Sequence, residues 1–278
     1  MASANLDSNT AELQRVTATG ARLGSLAFLW QRHVRPHKLY LRRDLSMAVL
    51  LNPKVGTQTF RTLLYEGLQK LGSAPRVPIY YPVNKKRRLT FPPLPEYLHF
   101  LRNTAKYQCY AFVRNPYARF LSAWKQKFAN CHLEESHLRC TARVLPSVRR
   151  FAAKHNLAGG EAGSPVPFET FLTWVESQEE GRRDHHWDTQ RAVLNLDRIA
   201  YHRLFRIETE YTDGLMEVLT RAGVCADLVQ ERATRKVNST PALKKPIYNE
   251  QLAERVYKLY RCDFEALGYE EDSWRDAA

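Results

Sequence analysis

The sequence predicts an α/β fold: a central parallel sheet flanked by helices, in a single domain with long loops. Three observations carry this. Ser46 to Leu71 reads as a buried strand, a tight loop and an amphipathic helix; Tyr107 to Trp124 repeats that order; and Leu204 to Glu208, a third short strand, is again followed by helical spacing. Short apolar runs alternating with helices of this period are the mark of parallel strands joined by crossover helices.

Residues 1–20, rich in Ala, Ser, Thr and Asn, read as a leader. In residues 21–43, Leu23, Leu26, Phe28, Leu29 and Trp30 are mixed with Arg22, Arg32, Arg35, Lys38, Arg42 and Arg43. This is the composition of a basic amphipathic helix, packed on the flank of the domain or touching a lipid surface or a partner. The domain itself is expected over 45–278. Met47 to Leu51 is a continuous apolar run that stops at Asn52-Pro53, where proline removes a backbone donor. Beyond Thr57, residues Phe60, Leu63, Leu64, Leu68 and Leu71 fall three or four apart, so one stripe of a helix can pack on that strand.

Residues 74–95 contain six prolines and the run Lys85-Lys86-Arg87-Arg88, an irregular excursion that suits an acidic ligand or a solvated face. Leu94 to Arg102 reads as a short helix leading into the aromatic-rich strand Tyr107 to Val113, and Pro116 fits the first turn of the helix that follows. Residues 129–163 are uninformative. Cys131, His132, His137 and Cys140 match no common zinc spacing, and Gly159-Gly160 marks a break. Pro167 opens an amphipathic helix with Phe168, Phe171, Leu172, Trp174 and Val175, and polar, exposed-looking sequence from Arg182 to Gln190 follows. Leu215, Val218 and Leu219 form the next helix, closed by Gly223, and a basic hydroxyl-rich loop covers 231–247. The last helix runs from about Asn249 to Tyr260, with Leu252, Val256 and Leu259 on one face.

The chain has 278 residues, 44% of them apolar, and five tryptophans, a composition that builds a globular core and excludes a disordered chain. A formal net charge of +13 favours anionic partners: nucleic acid, anionic membrane, acidic polysaccharide or a multiply charged nucleotide. Five cysteines without a CxxC pair argue for reduced thiols, although a Cys131–Cys140 bridge stays open. No apolar run approaches the roughly 20 residues of a membrane helix and no secretory signal is visible, so the expected location is cytoplasmic.

The loop Pro53-Lys54-Val55-Gly56-Thr57-Gln58-Thr59 places a lysine, a glycine and two hydroxyls around the free N–H groups of a helix start, a ready anion site. The common nucleotide-binding pattern needs its lysine late, after the second glycine; here the lysine comes first. At the end of the second strand, Arg114 offers a fork of donors, and Ser122, two helical turns later, a hydroxyl able to converge with it on one phosphate. A structural salt bridge for Arg114 and simple helix packing for Ser122 are the alternatives. In Asp184-His185-His186-Trp187, an imidazole titrating near neutrality can take a proton from a hydroxyl; stacking on Trp187 without chemical duty is the other reading.

Pro53 to Thr57 resembles the 5′-phosphosulfate loop of sulfotransferases, closest in wording to the carbohydrate sulfotransferases that include the chondroitin and HNK-1 enzymes. Phe112-Val113-Arg114-Asn115-Pro116-Tyr117-Ala118-Arg119-Phe120-Leu121-Ser122-Ala123-Trp124 resembles the 3′-phosphate motif of the same family, with its arginine, proline, second arginine, serine and aromatic in order. His186-Trp187, the strand ending at Glu208 and the segment Asp263 to Tyr269 are similar to further family segments. The resemblance implies a P-loop-like domain with substrate loops that uses 3′-phosphoadenylyl sulfate without a metal. Its acceptor would be a hydroxyl of a glycan or glycolipid. It assigns Lys54 to the bridging oxygen, Lys54 with Val55, Gly56, Thr57, Gln58 and Thr59 to the 5′-phosphosulfate, Arg114 and Ser122 to the 3′-phosphate, and His186 or His185 to the general base. The family's animal members carry a membrane anchor, so this chain departs from them in expected address. Two rival readings remain at this stage, a nucleotide kinase and a polyanion- or nucleic-acid-binding protein without catalysis; no recognition helix for nucleic acid is visible.

Overall fold

A computed structural model describes residues 39–70, 92, 94–129, 135–161, 163–233 and 246–276. The expected amphipathic contact at 21–38, the basic run 85–88, the side chains of the proposed zinc and disulfide residues between 131 and 140, and most of the 231–247 loop lie outside what is described. The sequence suggests one domain. The described residues fall into two compact units, one within Met1–Arg114 and Gln190–Val237, the other within Asn115–Thr189 and Asn238–Ala278. Each unit draws on two chain segments, so no linker-like composition separates them.

The first unit holds a sheet in the order β1 (Leu39–Arg42), β2 (Met47–Leu50), β3 (Gln108–Val113) and β4 (Arg203–Arg206). β2, β3 and β4 are parallel, as expected, with Leu50 opposite Ala111 and Phe112 opposite Phe205. β1 corrects the expectation of a wholly parallel sheet, and it corrects the flanking helix at 39–42. It is an antiparallel edge strand, with Arg42 opposite Met47. The cause is the intervening turn: Ser46 adopts φ 46°, its N–H donates to the Arg43 carbonyl at 3.1 Å, and Asp44 accepts from both Nε and Nη2 of Arg42 at 2.8 and 2.6 Å.

Tyr40, Val49 and Tyr110 are register partners on one face of the sheet, and with Met47, Phe112 and Phe205 they form its core. That core also holds Phe60, Leu63 and Leu64 of α1 (Thr57–Lys70), Leu215, Val218 and Leu219 of α7 (Tyr211–Arg221), and Leu228 and Val229 of α8 (Ala226–Ala233). Leu39, Leu41, Ala48, Cys109 and Ala111, on the opposite face, are buried as well, which is why the strands read as unbroken apolar runs. α2 (Leu94–Arg102) and the short α6 (Gln190–Leu194) complete this unit.

The second unit contains α3 (Pro116–Trp124), a π-helical turn at Lys125–Ala129, α4 (Glu135–Lys154), α5 (Phe168–Glu176) and α9 (Glu250–Leu267). Pro116 takes the first helical position as predicted, and Asn115 caps α3 by accepting from the N–H groups of Tyr117 and Ala118. Aromatic residues dominate the core; Phe120 stacks on Phe171 with centroids 4.9 Å apart. α9 starts on an Asn249 cap, kinks at Tyr260, where the sequence suggested that it ends, and closes on left-handed Gly268. Among the described residues no helix is long and apolar enough to cross a membrane.

In α7, a Cβ added to Gly214 would lie 2.6 Å from Phe205 Cγ and 2.8 Å from Phe112 Cε1. Helix propensity alone would make Gly214→Ala stabilising by about 0.5–1 kcal/mol. Overpacking two core aromatics outweighs that, and a net loss of about 1–3 kcal/mol in urea unfolding is expected.

Candidate functional site

β2 and β3 are parallel neighbours, so the residues that follow their carboxyl ends emerge side by side, the usual ligand position in such sheets. After β2 the chain turns through Asn52 to Gly56 into α1. Lys54 (φ 72°) and Gly56 (φ 74°) are both left-handed, while Val55 between them is not. Alternation of this kind turns successive N–H groups to one side as an anion-binding concavity. Lysine carries a steric cost in this region that glycine escapes, so the loop holds Lys54 in place against its own backbone preference. Val55 anchors the loop in the core at 2% exposure, with Gly56 and Gln58 exposed. The Gly56 carbonyl accepts from the N–H groups of Thr59 and Phe60, and the Thr57 and Gln58 N–H groups, at the helix start, have no carbonyl within α1 to bond.

Both loop hydroxyls expected to face the anion have protein partners. Thr57 Oγ1 donates to the Asn52 carbonyl at 2.6 Å, which closes the loop on itself. Buried Thr59 bonds the Tyr211 hydroxyl. Tyr211 in turn donates to the Gly56 carbonyl at 2.8 Å, and a Cβ at Gly56 would collide with its ring. Burial raises the Tyr211 pKa, while the Thr59 bond lowers it. With both hydroxyls engaged, the backbone N–H groups at the helix start are the loop's donors for an anion.

Arg114 follows β3, and its Nη1 donates to the Lys54 carbonyl at 3.1 Å. The first unit therefore brings together Lys54, Val55, Gly56, Thr57, Gln58, Thr59 and Arg114. Three residues without a sequence signal hold them: Tyr211, Asn52 and Gln190. Gln190 is fully buried, accepts from the Arg114 N–H at 3.0 Å and donates to the Arg114 carbonyl at 2.7 Å.

The second unit carries Ser122, half-buried on the second turn of α3, and the two histidines. The segment 182–190, expected to be exposed, is largely inside: Trp187, Asp188, Thr189 and Gln190 are buried. Its carbonyls explain this. Arg119, at 1% exposure, donates from Nη1 to the Asp188 carbonyl at 2.7 Å and from Nη2 to the His185 carbonyl at 2.9 Å, and the Tyr260 hydroxyl bonds the Trp187 carbonyl. Burial depresses the Arg119 pKa, opposed by the nearby Asp263 and Asp188. The second arginine of the 114–124 motif is thus a clamp on the histidine turn.

Within the turn, His186 Nδ1 lies 2.6 Å from Asp184 Oδ1, which also accepts the His186 N–H at 3.0 Å, and the rings of His185 and His186 are 4.2 Å apart. Asp184, His185 and His186 present ligating atoms within 4.8 Å of one another. Their shortest contact is a carboxylate–imidazole hydrogen bond, an arrangement that fixes the tautomer with Nε2 as the basic nitrogen. Burial raises the Asp184 pKa, but the hydrogen bond from His186 and the two imidazoles outweigh it, and the net direction is down. Its pairing contributes stability above the usual carboxylate pKa of about 3.9 that is lost as pH falls through the lower folded value. Asp184→Asn should therefore flatten the acid limb of stability measured by urea unfolding between about pH 5 and pH 2; an unchanged limb would show that the carboxylate is not paired.

A family model described as "Sulfotransferase family" matches residues 42–270. Carbohydrate sulfotransferase 11 of Rattus norvegicus and that of Mus musculus are each 26% identical to the chain over 182 residues, 63% of this chain and 50% of theirs. The Danio rerio protein of the same name is 24% identical over 182 residues with the same coverage. The chain thus spans about half the length of the curated relatives it matches. No solved structure matches.

Proposed function

The chain belongs to the sulfotransferase family, and from this premise we propose that it moves a sulfuryl group from 3′-phosphoadenylyl sulfate to a hydroxyl of a carbohydrate. The observation that carries the proposal is the hydrogen bond from Arg114 to the Lys54 carbonyl, which puts the early lysine and the later arginine at one place on the sheet. A lysine ahead of the glycine, in a loop where Lys54 and Gly56 are both left-handed, supports sulfuryl transfer over the nucleotide-kinase reading.

In this reading the sulfur passes in line from the phosphate oxygen of the donor to the attacking sugar oxygen. One S–O bond breaks as the other forms, and negative charge grows on the leaving phosphate. Lys54 sits against that oxygen, and the N–H groups of Val55, Gly56, Thr57 and Gln58 hold the 5′-phosphosulfate, with Thr59 closing the turn behind them through the Gly56 carbonyl. Arg114 and Ser122 take the 3′-phosphate. His186, with Nδ1 held by Asp184, accepts the hydroxyl proton at Nε2, and His185 flanks it. The acceptor class follows the name of the relatives, a carbohydrate. A cytoplasmic address belongs to the same proposal, supported by the reduced thiols of Cys109 and Cys225.

Transfer from radiolabelled donor tests the roles separately. Lys54→Ala should lower kcat by about a hundredfold or more, the scale for losing one transition-state donor. Arg114→Ala should instead raise the donor KM about tenfold or more. His186→Ala should slow turnover while donor affinity persists. Full transfer by the Lys54 variant would remove the mechanism.

A further inference from the structure

We propose that Gln190, acting with Asn52, is a positioning residue that sets the Arg114 tip against the Lys54 loop and thereby fixes the spacing at which the donor's 3′- and 5′-phosphates are read. The inference rests on the donor reading above and adds a determinant of its selectivity.

The backbone poses the problem. β2 and β3 pair through Leu50 and Ala111, but the chain after β2 reaches Pro53, which has no N–H to give a neighbouring strand. The ladder cannot continue to the residues that hold Lys54 and Arg114, and side-chain amides take over. Gln190, the first residue of α6, exchanges two hydrogen bonds with the Arg114 backbone, 3.0 Å from its N–H and 2.7 Å to its carbonyl, as a paired strand residue would. The same Oε1 accepts from Asn52 Nδ2 at 2.7 Å, and Asn52 Nδ2 also reaches the Phe112 carbonyl at 3.2 Å. Asn52 offers its own carbonyl to Thr57 Oγ1, so one residue ties both ends of the lysine loop to the end of β3.

Asn52 Oδ1, buried, has no hydrogen-bond partner among the described residues. A buried acceptor left in this way is costly and rare. An arrangement serving stability alone would fill the site with apolar groups; this one keeps two amides for the geometry they impose. The loop has a second support that does not involve Gln190, the Tyr211 hydroxyl on the Gly56 carbonyl. Loss of Gln190 should therefore displace the arginine more than the 5′-phosphate cradle.

The full chain with Gln190→Leu, an apolar group of similar size that removes the bonds to Asn52 and to the Arg114 backbone, is compared with wild type for binding of adenosine 3′,5′-bisphosphate and of adenosine 5′-monophosphate by calorimetry. The expected result is a loss of about tenfold in bisphosphate affinity with a change under about threefold for the monophosphate, so that the preference collapses. Gln190→Glu, which keeps the acceptor and loses the donor, should fall between. A merely structural role would lower the melting temperature and leave the preference of the folded protein intact, and that outcome overturns the inference. If wild type shows no preference for the bisphosphate, the donor reading fails first. Should Gln190→Leu not fold, Gln190→Glu and Asn52→Ala give the same comparison, and wild-type preference in both overturns the inference.

Discussion

Parallel pairing of β2 with β3 is the constraint from which the candidate donor site follows. Two strands running the same way end on the same side, and residues far apart in sequence leave the sheet next to each other. Lys54 and Arg114 meet for this reason. The bonds around them then narrow the geometry: Arg114 to the Lys54 carbonyl, Tyr211 to the Gly56 carbonyl, Thr57 to the Asn52 carbonyl and Gln190 to both backbone groups of Arg114. Together these bonds hold a loop with a strained lysine that has no regular secondary structure of its own.

The second unit solves a similar problem by different means. Its histidine turn is fixed by buried donors on helices remote in sequence, Arg119 of α3 and Tyr260 of α9, and by the Asp188 carboxylate, which accepts from the N–H groups of Gly181 and Thr189. What remains partly exposed is the His185–His186 pair with Asp184. The general-base role proposed for His186 depends on such rigidity, because proton transfer requires an orientation set before the acceptor arrives.

Features governed by neighbours along the chain were legible in the sequence. The apolar run at 47–51, the stripe from Phe60 to Leu64 and the proline at the start of α3 are local signals, and the structure realises each. β1 was hidden because Leu39, Tyr40 and Leu41 sit among basic residues that suggest an amphipathic helix; the Arg42–Asp44 pairing across the turn makes them an edge strand. The burial of 187–190 was hidden because the polar side chains suggest solvent, whereas the turn's carbonyls are matched by side chains up to 73 positions away. Gln190 and Asn52 gave no signal, since a buried amide is visible only once its partners are placed. Arg119 lies within the phosphate-motif resemblance, and its buried guanidinium is engaged by the Asp188 and His185 carbonyls, partners that no local pattern announces.

Arg119 also bears on engineering. On the role proposed for its histidines, the segment 181–189 is a candidate for exchange between related chains when a new acceptor is wanted. Its shape is dictated by an arginine on one helix and a tyrosine at the bend of another. A transplanted segment whose carbonyls do not match those two donors would leave a desolvated guanidinium inside the recipient, so a workable chimera must carry the turn, Arg119 and Tyr260 together as one heritable block.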